Sequence, residues 1–259
     1  MNKLKFVPGI LLSCALITSC DEMWHHCIDG NGHPSTETRT LPAFTRIQVN
    51  GDFRVKVDTG SSCIAIVEAD ENLQDLIGTY VSGDKLVIES RNGDCLNSSH
   101  PVEISVVTPS VNNIDLNGSG NVYCYGLNAE EIVLSLSGSG EINCTQIIAS
   151  SVKLDLEGSG KIDCTADVEN LSSKIEGSGE IKITGSALNS EFKVIGSGHQ
   201  RASQLNTDVS IAYISGSGII DTEVNNSLDV TIIGSGIVNY SGNPVITSYI
   251  SGSGKIVKQ

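Results

Sequence analysis

From residue 41 onward apolar and polar positions alternate along most of the chain, the two-residue period of a strand with one buried face. In the second half this alternation is tied to a repeated triplet. Gly-Ser-Gly begins at Gly118, Gly138, Gly158, Gly177, Gly196, Gly216, Gly234 and Gly252, at intervals of 20, 20, 19, 19, 20, 18 and 18 residues. Two residues before the first glycine stand Leu136, Leu156, Ile175, Val194, Ile214, Ile232 and Ile250. Four residues after it stand Val122, Ile142, Ile162, Ile181, Gln200, Ile220, Val238 and Ile256. The positions between are mostly polar, such as Ser135, Asp155, Asn143, Asp163 and Lys182. Each triplet therefore predicts a tight bend between two short strands, with glycine supplying the backbone angles. Further short strands fit between triplets, at 147–156 and 187–194 for example.

A unit of about twenty residues of this kind cannot bury its own face, but a parallel stack of them can, each coil adding roughly 4.8 Å. Seven intervals make a stack of roughly 34 Å. The predicted fold is all-β: a single-stranded parallel β-helix of about 18–20 residues per coil, right-handed by the crossover preference. Residues 41–117 read as less regular coils of the same kind, from the alternation of Ile47, Val49, Phe53, Val55 and Val57 and of Val102, Ile104 and Val106. A short helical turn is expected near 72–77. Lys255 and Lys258 are placed to blunt the last edge. The expected division is a signal segment at 1–19, a lipidated N-terminus and linker at 20–40, and a β-helix domain at 41–259, irregular over 41–117 and regular over 118–259.

Composition supports one elongated domain, because 259 residues with only 4% aromatics are poorly supplied for a single compact core. At the N-terminus, Lys3 and Lys5 precede a short apolar run from Phe6 to Ile17, too short to span a bilayer. It ends in Leu16-Ile17-Thr18-Ser19-Cys20, which resembles a bacterial lipobox with Cys20 as the diacylated residue. Asp21 and Glu22 resemble the acidic export tag of Bacteroidetes lipoproteins. The expected location is the cell envelope, as an outer-membrane lipoprotein on the periplasmic or outer surface, attached to the membrane through lipid. Loss of residues 1–19 removes two lysines and no acid, taking the formal charge from −14 to −16. An acidic body without a basic cluster argues against a nucleic-acid partner.

From Arg39 to Lys255 the chain resembles the bacterial "putative auto-transporter adhesin, head GIN domain" family. The features that carry the resemblance are Arg39-Thr40-Leu41-Pro42-Ala43-Phe44 leading into Ile47-Gln48-Val49-Asn50-Gly51, then Gly83-Asp84-Lys85-Leu86-Val87-Ile88, then the triplets followed by Ile or Val. The resemblance implies a parallel β-helix at the cell envelope and carries no catalytic residues to transfer.

Candidate chemistry is sparse. Cys124, Cys144 and Cys164 fall in one inward column and are expected to remain buried thiols acting as small hydrophobes. Disulfide geometry suits directly stacked rungs poorly. A bridge is expected among Cys27, Cys63 and Cys95, either Cys63 with Cys95 or one of these two with Cys27, and the sequence does not choose between them. Trp24-His25-His26-Cys27 and His33 lie in the linker without metal-ligand spacing, and no metal or other cofactor is expected. The outward columns after the triplets, with Glu141, Lys161, Asp163, Glu180, Lys182, His199 and Arg201, are the expected binding face. Their signs alternate, as neighbouring rungs require to avoid like-charge repulsion. His199-Gln200-Arg201 breaks the pattern by turning a Gln inward. A second outward strip, Ile195, Tyr213, Ile233 and Tyr249, is an expected apolar contact surface for a homodimer or a glycan. Walker A, nucleophile-elbow, HExxH and nonapeptide calcium motifs are absent. The reading that follows is a non-enzymatic envelope protein that binds a glycan or protein ligand. A polysaccharide lyase or hydrolase working on the β-helix face is the alternative.

Overall fold

Each Gly-Ser-Gly triplet is glycine at its first and third positions because of the coil beneath it. In a computed structural model that describes residues 27–259, the first glycines all have φ between 116° and 134°. The carbonyl of Gly118 accepts the N–H groups of Ser139 and Gly140 from the next coil, at 3.1 and 3.0 Å. A Cβ on Gly138 would lie 2.4 Å from that same oxygen. A Cβ on Gly140 would lie 2.4 Å from the Gly120 oxygen and 2.9 Å from Leu116 Cδ2. The first glycine thus admits a backbone stack, and the third admits the inward side chain below it.

Between corners the chain is almost continuous strand. Lys161–Gly177 pairs in parallel with Glu180–Gly196, and that with His199–Gly216. Along Lys161–Gly177 the buried residues are Ile162, Cys164 and Ala166 on one run, then Leu171, Ser173 and Ile175 on the other. The result is a β-solenoid of about seven turns. Its core is a set of columns, one of them Val122, Ile142, Ile162, Ile181, Gln200, Ile220 and Val238, all fully buried. Each buried Ile or Val contributes about 1.5–3 kcal/mol.

The first coils are not stacked in chain order. Arg46–Asn50 lies between Lys85–Ser90 and Asn113–Gly118. Arg54–Thr59 lies between Glu103–Thr108 and Asn121–Tyr125. The chain completes the coil at 46–59, then builds an outer layer from 64–108, and returns on the opposite side. That outer layer is largely antiparallel: Ile64–Asp70 pairs with both Pro34–Thr40 and Glu103–Thr108, and Ile77–Ser82 forms a hairpin with Lys85–Ser90. It closes the end of the core that parallel coils would leave open. The expected helical turn is present as a 3-10 turn at Glu71–Leu76.

The linker expected over 20–40 is corrected within its described part. Pro34–Thr40 is a strand of the cap, and Ile28–Asp29 pairs in parallel with Leu96–Asn97. Pro34–Thr40 has no buried residue, as befits an edge strand, so hydrophobic alternation could not reveal it. Arg39 fixes it by donating to the Ile77 and Gln74 carbonyls at 2.6 and 2.9 Å. Cys20, the signal segment and Trp24-His25-His26 lie outside the described residues.

Candidate functional site

The triplet corners set the register of the outward columns. Asn121, Glu141, Lys161, Glu180 and His199 stand in line, as do Tyr123, Asn143, Asp163, Lys182, Arg201 and Asp221. Lys161 lies 4.0 Å from Glu141 and 3.7 Å from Asp163, and Lys182 lies 3.4 Å from Asp163. Arg201 meets Glu180 at 2.5 Å. His199 Nε2 meets Asp221 at 2.6 Å, and the other Asp221 oxygen accepts from Asn239 at 2.7 Å. Every acid of this face therefore has a cationic or amide partner. Glycoside hydrolysis needs one carboxyl kept protonated opposite a second that is free to act. Among the described residues no three His, Cys, Asp or Glu side chains converge as metal ligands. Exposed pairs of this kind contribute about 0–1 kcal/mol each, and what they chiefly supply is a flat surface of mixed charge.

The apolar strip splits into two columns. Tyr213, Thr231 and Tyr249 are in register, while Ile195 and Ile233 sit in the adjacent column with Ser215 between them. Ile233 and Tyr249 are 44% and 63% exposed. Tyr213 is half-buried, with Lys193 Nζ 5.4 Å from its ring centroid. Ile211, two residues before Tyr213 and also exposed, extends this patch and was not picked out from the sequence.

The cysteines depart from expectation in one bond and decide an open choice in another. Cys124, Cys144 and Cys164 are stacked in register as expected, but Cys124 and Cys144 are joined by a disulfide, with Cα atoms 4.6 Å apart. That separation falls at the short end of what a disulfide tolerates yet inside it, so direct stacking does not forbid the bond. Cys164 remains a thiol, and burial pushes its pKa up to about 12. The choice among Cys27, Cys63 and Cys95 falls against a Cys63–Cys95 bridge. Cys95 is bonded to Cys27, because the pairing of Ile28–Asp29 with Leu96–Asn97 brings those two residues together. Cys63 lies elsewhere on the cap, its Sγ 3.8 Å from Thr108 Oγ1, and stays free.

That second disulfide borders a feature the sequence did not flag. A half-open concavity of about 770 Å3 lies between the first corner, Gly51-Asp52-Phe53, and the segment 94–102. Asn97 Nδ2 donates to Asp29 Oδ1 at 2.7 Å. Asp70, buried beneath the segment, accepts the Ser99 N–H at 2.8 Å and the Ser98 hydroxyl at 3.0 Å. These two bonds, the Ser99 N–H first, hold the Asp70 carboxyl below the usual carboxylate range. A smaller depression of about 330 Å3 lies among Glu180, Lys182, Arg201 and Asp221.

The family described as "Putative auto-transporter adhesin, head GIN domain" matches residues 43–162 and again 133–244. The chain belongs to this family. Among solved structures, a Parabacteroides distasonis protein described as a putative lipid binding protein is 27% identical, with a TM-score of 0.86 over 90% of this chain and 100% of its own. A Parabacteroides merdae protein described as a putative adhesin is 18% identical, with a TM-score of 0.86 over 90% of this chain and 98% of its own. Another P. distasonis protein, this one described as a putative adhesin and also 18% identical, gives 0.85 over 90% and 100%. At these identities the last two speak for the fold alone. No curated protein matches the chain.

Proposed function

We propose that this protein is a non-enzymatic adhesin-type component of the cell envelope, held at the membrane by lipid on Cys20, whose solenoid presents rigid surfaces to a glycan or protein ligand. The observation that carries the reading is the pairing of every acid on the outward face, Glu141 and Asp163 with Lys161, Glu180 with Arg201, and Asp221 with His199. A face whose acids are all so paired offers hydrogen-bonding groups in fixed register and leaves no two carboxyls free to act together. Membership of an adhesin-described family supports the same reading, as does the likeness to a protein described as lipid binding, since both descriptions are of binding and neither of turnover. Among the described residues no helix is long and apolar enough to cross a membrane. The patch of Ile211, Tyr213, Ile233 and Tyr249 is the surface we assign to a second copy of the chain. The experiment is retention of the purified full chain on immobilised host glycans and matrix proteins. Specific, saturable retention is expected; a chain retained on neither would overturn the reading. Labelling cells with radioactive palmitate and comparing Cys20→Ser tests the anchor separately.

A further inference from the structure

The concavity beside the N-terminal corner is built unlike the rest of the surface. Along the triplet coils the outward faces are largely flat strand, whereas here the mostly irregular segment 94–102 is raised over the first corner and fastened. The Cys27–Cys95 disulfide, the parallel bridge of Ile28–Asp29 with Leu96–Asn97, and the Asp70 bonds to Ser98 and Ser99 hold it at three places. Of the residues that make these contacts, only Leu96 packs against the hydrophobic core. A wall fixed in this way meets a ligand with little ordering cost, which is what preorganisation contributes to affinity.

Four of the groups that line it have their hydrogen-bonding capacity open. The side chains of Asp52, Asp94, Ser119 and Asn121 make no hydrogen bond or ion pair among the described residues. Phe53, Pro101 and Val102 supply apolar surface beneath and beside them. Of the two bases that line it, Arg54 and His100, the first is held by Glu103 at 2.8 Å. An anionic ligand would therefore meet two unpaired carboxylates, Asp52 and Asp94, with His100 as the one lining base outside an ion pair. Asn121 begins the strand Asn121–Tyr125, on which Tyr123 and Tyr125 point outward from the same face, 38% and 59% exposed. At about 3.3 Å per residue the two rings extend the lined surface by roughly 13 Å from Asn121. A neutral sugar chain presents hydroxyls to amides and carboxylates and C–H faces to aromatic rings, so amphipathic Tyr beside planar polar groups suits it. The volume is within the usual range of small-ligand sites, about 300–1,000 Å3.

We propose that this concavity, continued along Tyr123 and Tyr125, is a binding site for a neutral oligosaccharide. The proposal deepens the adhesin-type reading and rests on it. It places recognition at the fastened N-terminal corner and not on the charged face around Lys161 and Arg201.

The test titrates the full chain with maltotetraose, cellotetraose, N-acetylated chitotetraose and N-acetyllactosamine, followed by saturation-transfer NMR and calorimetry. The variants Asn121→Ala and Tyr125→Ala report on the site, Tyr249→Ala and Arg201→Ala on the two rival surfaces, with Lys153→Ala and Glu131→Ala as controls and thermal melts to verify folding. One of the four sugars should bind, weakened at least tenfold by Asn121→Ala and by Tyr125→Ala and unchanged by the controls. Cys95→Ser, which frees the wall while leaving the coils intact, should weaken it as well. Binding that is lost only in Arg201→Ala or Tyr249→Ala would overturn the site and leave the adhesin-type reading standing. Failure of all four sugars, with retention on an immobilised protein or an acidic glycan, would overturn the ligand class alone. Failure on every surface would overturn both.

Discussion

Replacement of Gly177 by Ala separates the two demands that a Gly-Ser-Gly corner makes. Gly177 has φ 127°, a conformation that costs an L-residue about 1–3 kcal/mol. Its Cβ would also lie 2.4 Å from the Gly158 oxygen. That oxygen accepts Ser178 N–H at 2.9 Å and Gly179 N–H at 3.0 Å, so relieving the clash means giving up both bonds. At about 1 kcal/mol each these add about 2 kcal/mol. The expected loss is therefore about 3–5 kcal/mol. Gly83→Ala is the internal control, since Gly83 has φ 67° with nothing within 4 Å of a new Cβ, and should lose only the strain. Ser178→Ala, at an exposed position that already carries a Cβ, should stay within about 0.5 kcal/mol of the parent. Native-state hydrogen exchange localises the effect, because each coil touches only its neighbours. Protection should fall at Ser178, Gly179 and the two flanking coils first. Equal losses in Gly177→Ala and Gly83→Ala would refute the close-approach argument.

Three further outcomes follow from the interior and the cap. Gln200 is fully buried; its Oε1 accepts from Ser173 at 2.9 Å, but its Nε2 has no partner. The double variant Gln200→Ile with Ser173→Ala should raise the urea midpoint by the equivalent of about 1–2 kcal/mol, since an orphaned buried donor costs about 1–3 kcal/mol; a lowered midpoint would count against it. Asp70 has a folded pKa below its ordinary value. Its contribution is therefore present above the ordinary carboxylate pKa and lost as pH falls through the lower folded one. Melting curves of the parent and Asp70→Asn should converge in acid, and a gap that persists at every pH would refute that linkage. In the native protein iodoacetamide should label Cys63 and spare Cys164, whose thiol is buried with its pKa pushed up to about 12. Peptide mapping should recover Cys27–Cys95 and Cys124–Cys144 as the disulfides, and Cys164 found in a bridge would contradict the structure.

The repeat was legible because each triplet carries two steric requirements that only glycine meets, and because burial of Ile and Val every second residue leaves no other register. The column of Cys124, Cys144 and Cys164 and the charge columns from Glu141 to Arg201 follow from that register and are found in it. The cap was not legible. Pro34–Thr40 is polar on both faces because it is an edge strand, and the reversed stacking of 46–59 and 85–108 leaves the alternation of each strand unchanged. The Cys124–Cys144 bond turns on a Cα separation of 4.6 Å, and alternation carries no information at that scale. The concavity escaped for the same reason as the cap: it is made by a segment whose partners, Cys27 and Asp70, lie 68 and 25 residues from Cys95.

That the solenoid binds without turning over what it binds is tested most directly by product analysis. The purified full chain is incubated with acidic and host glycans, and the soluble fraction is followed by mass spectrometry over hours. Ligand retained at unchanged chain length is the expected result. Shortened or unsaturated oligosaccharides accumulating in proportion to time and protein would contradict it.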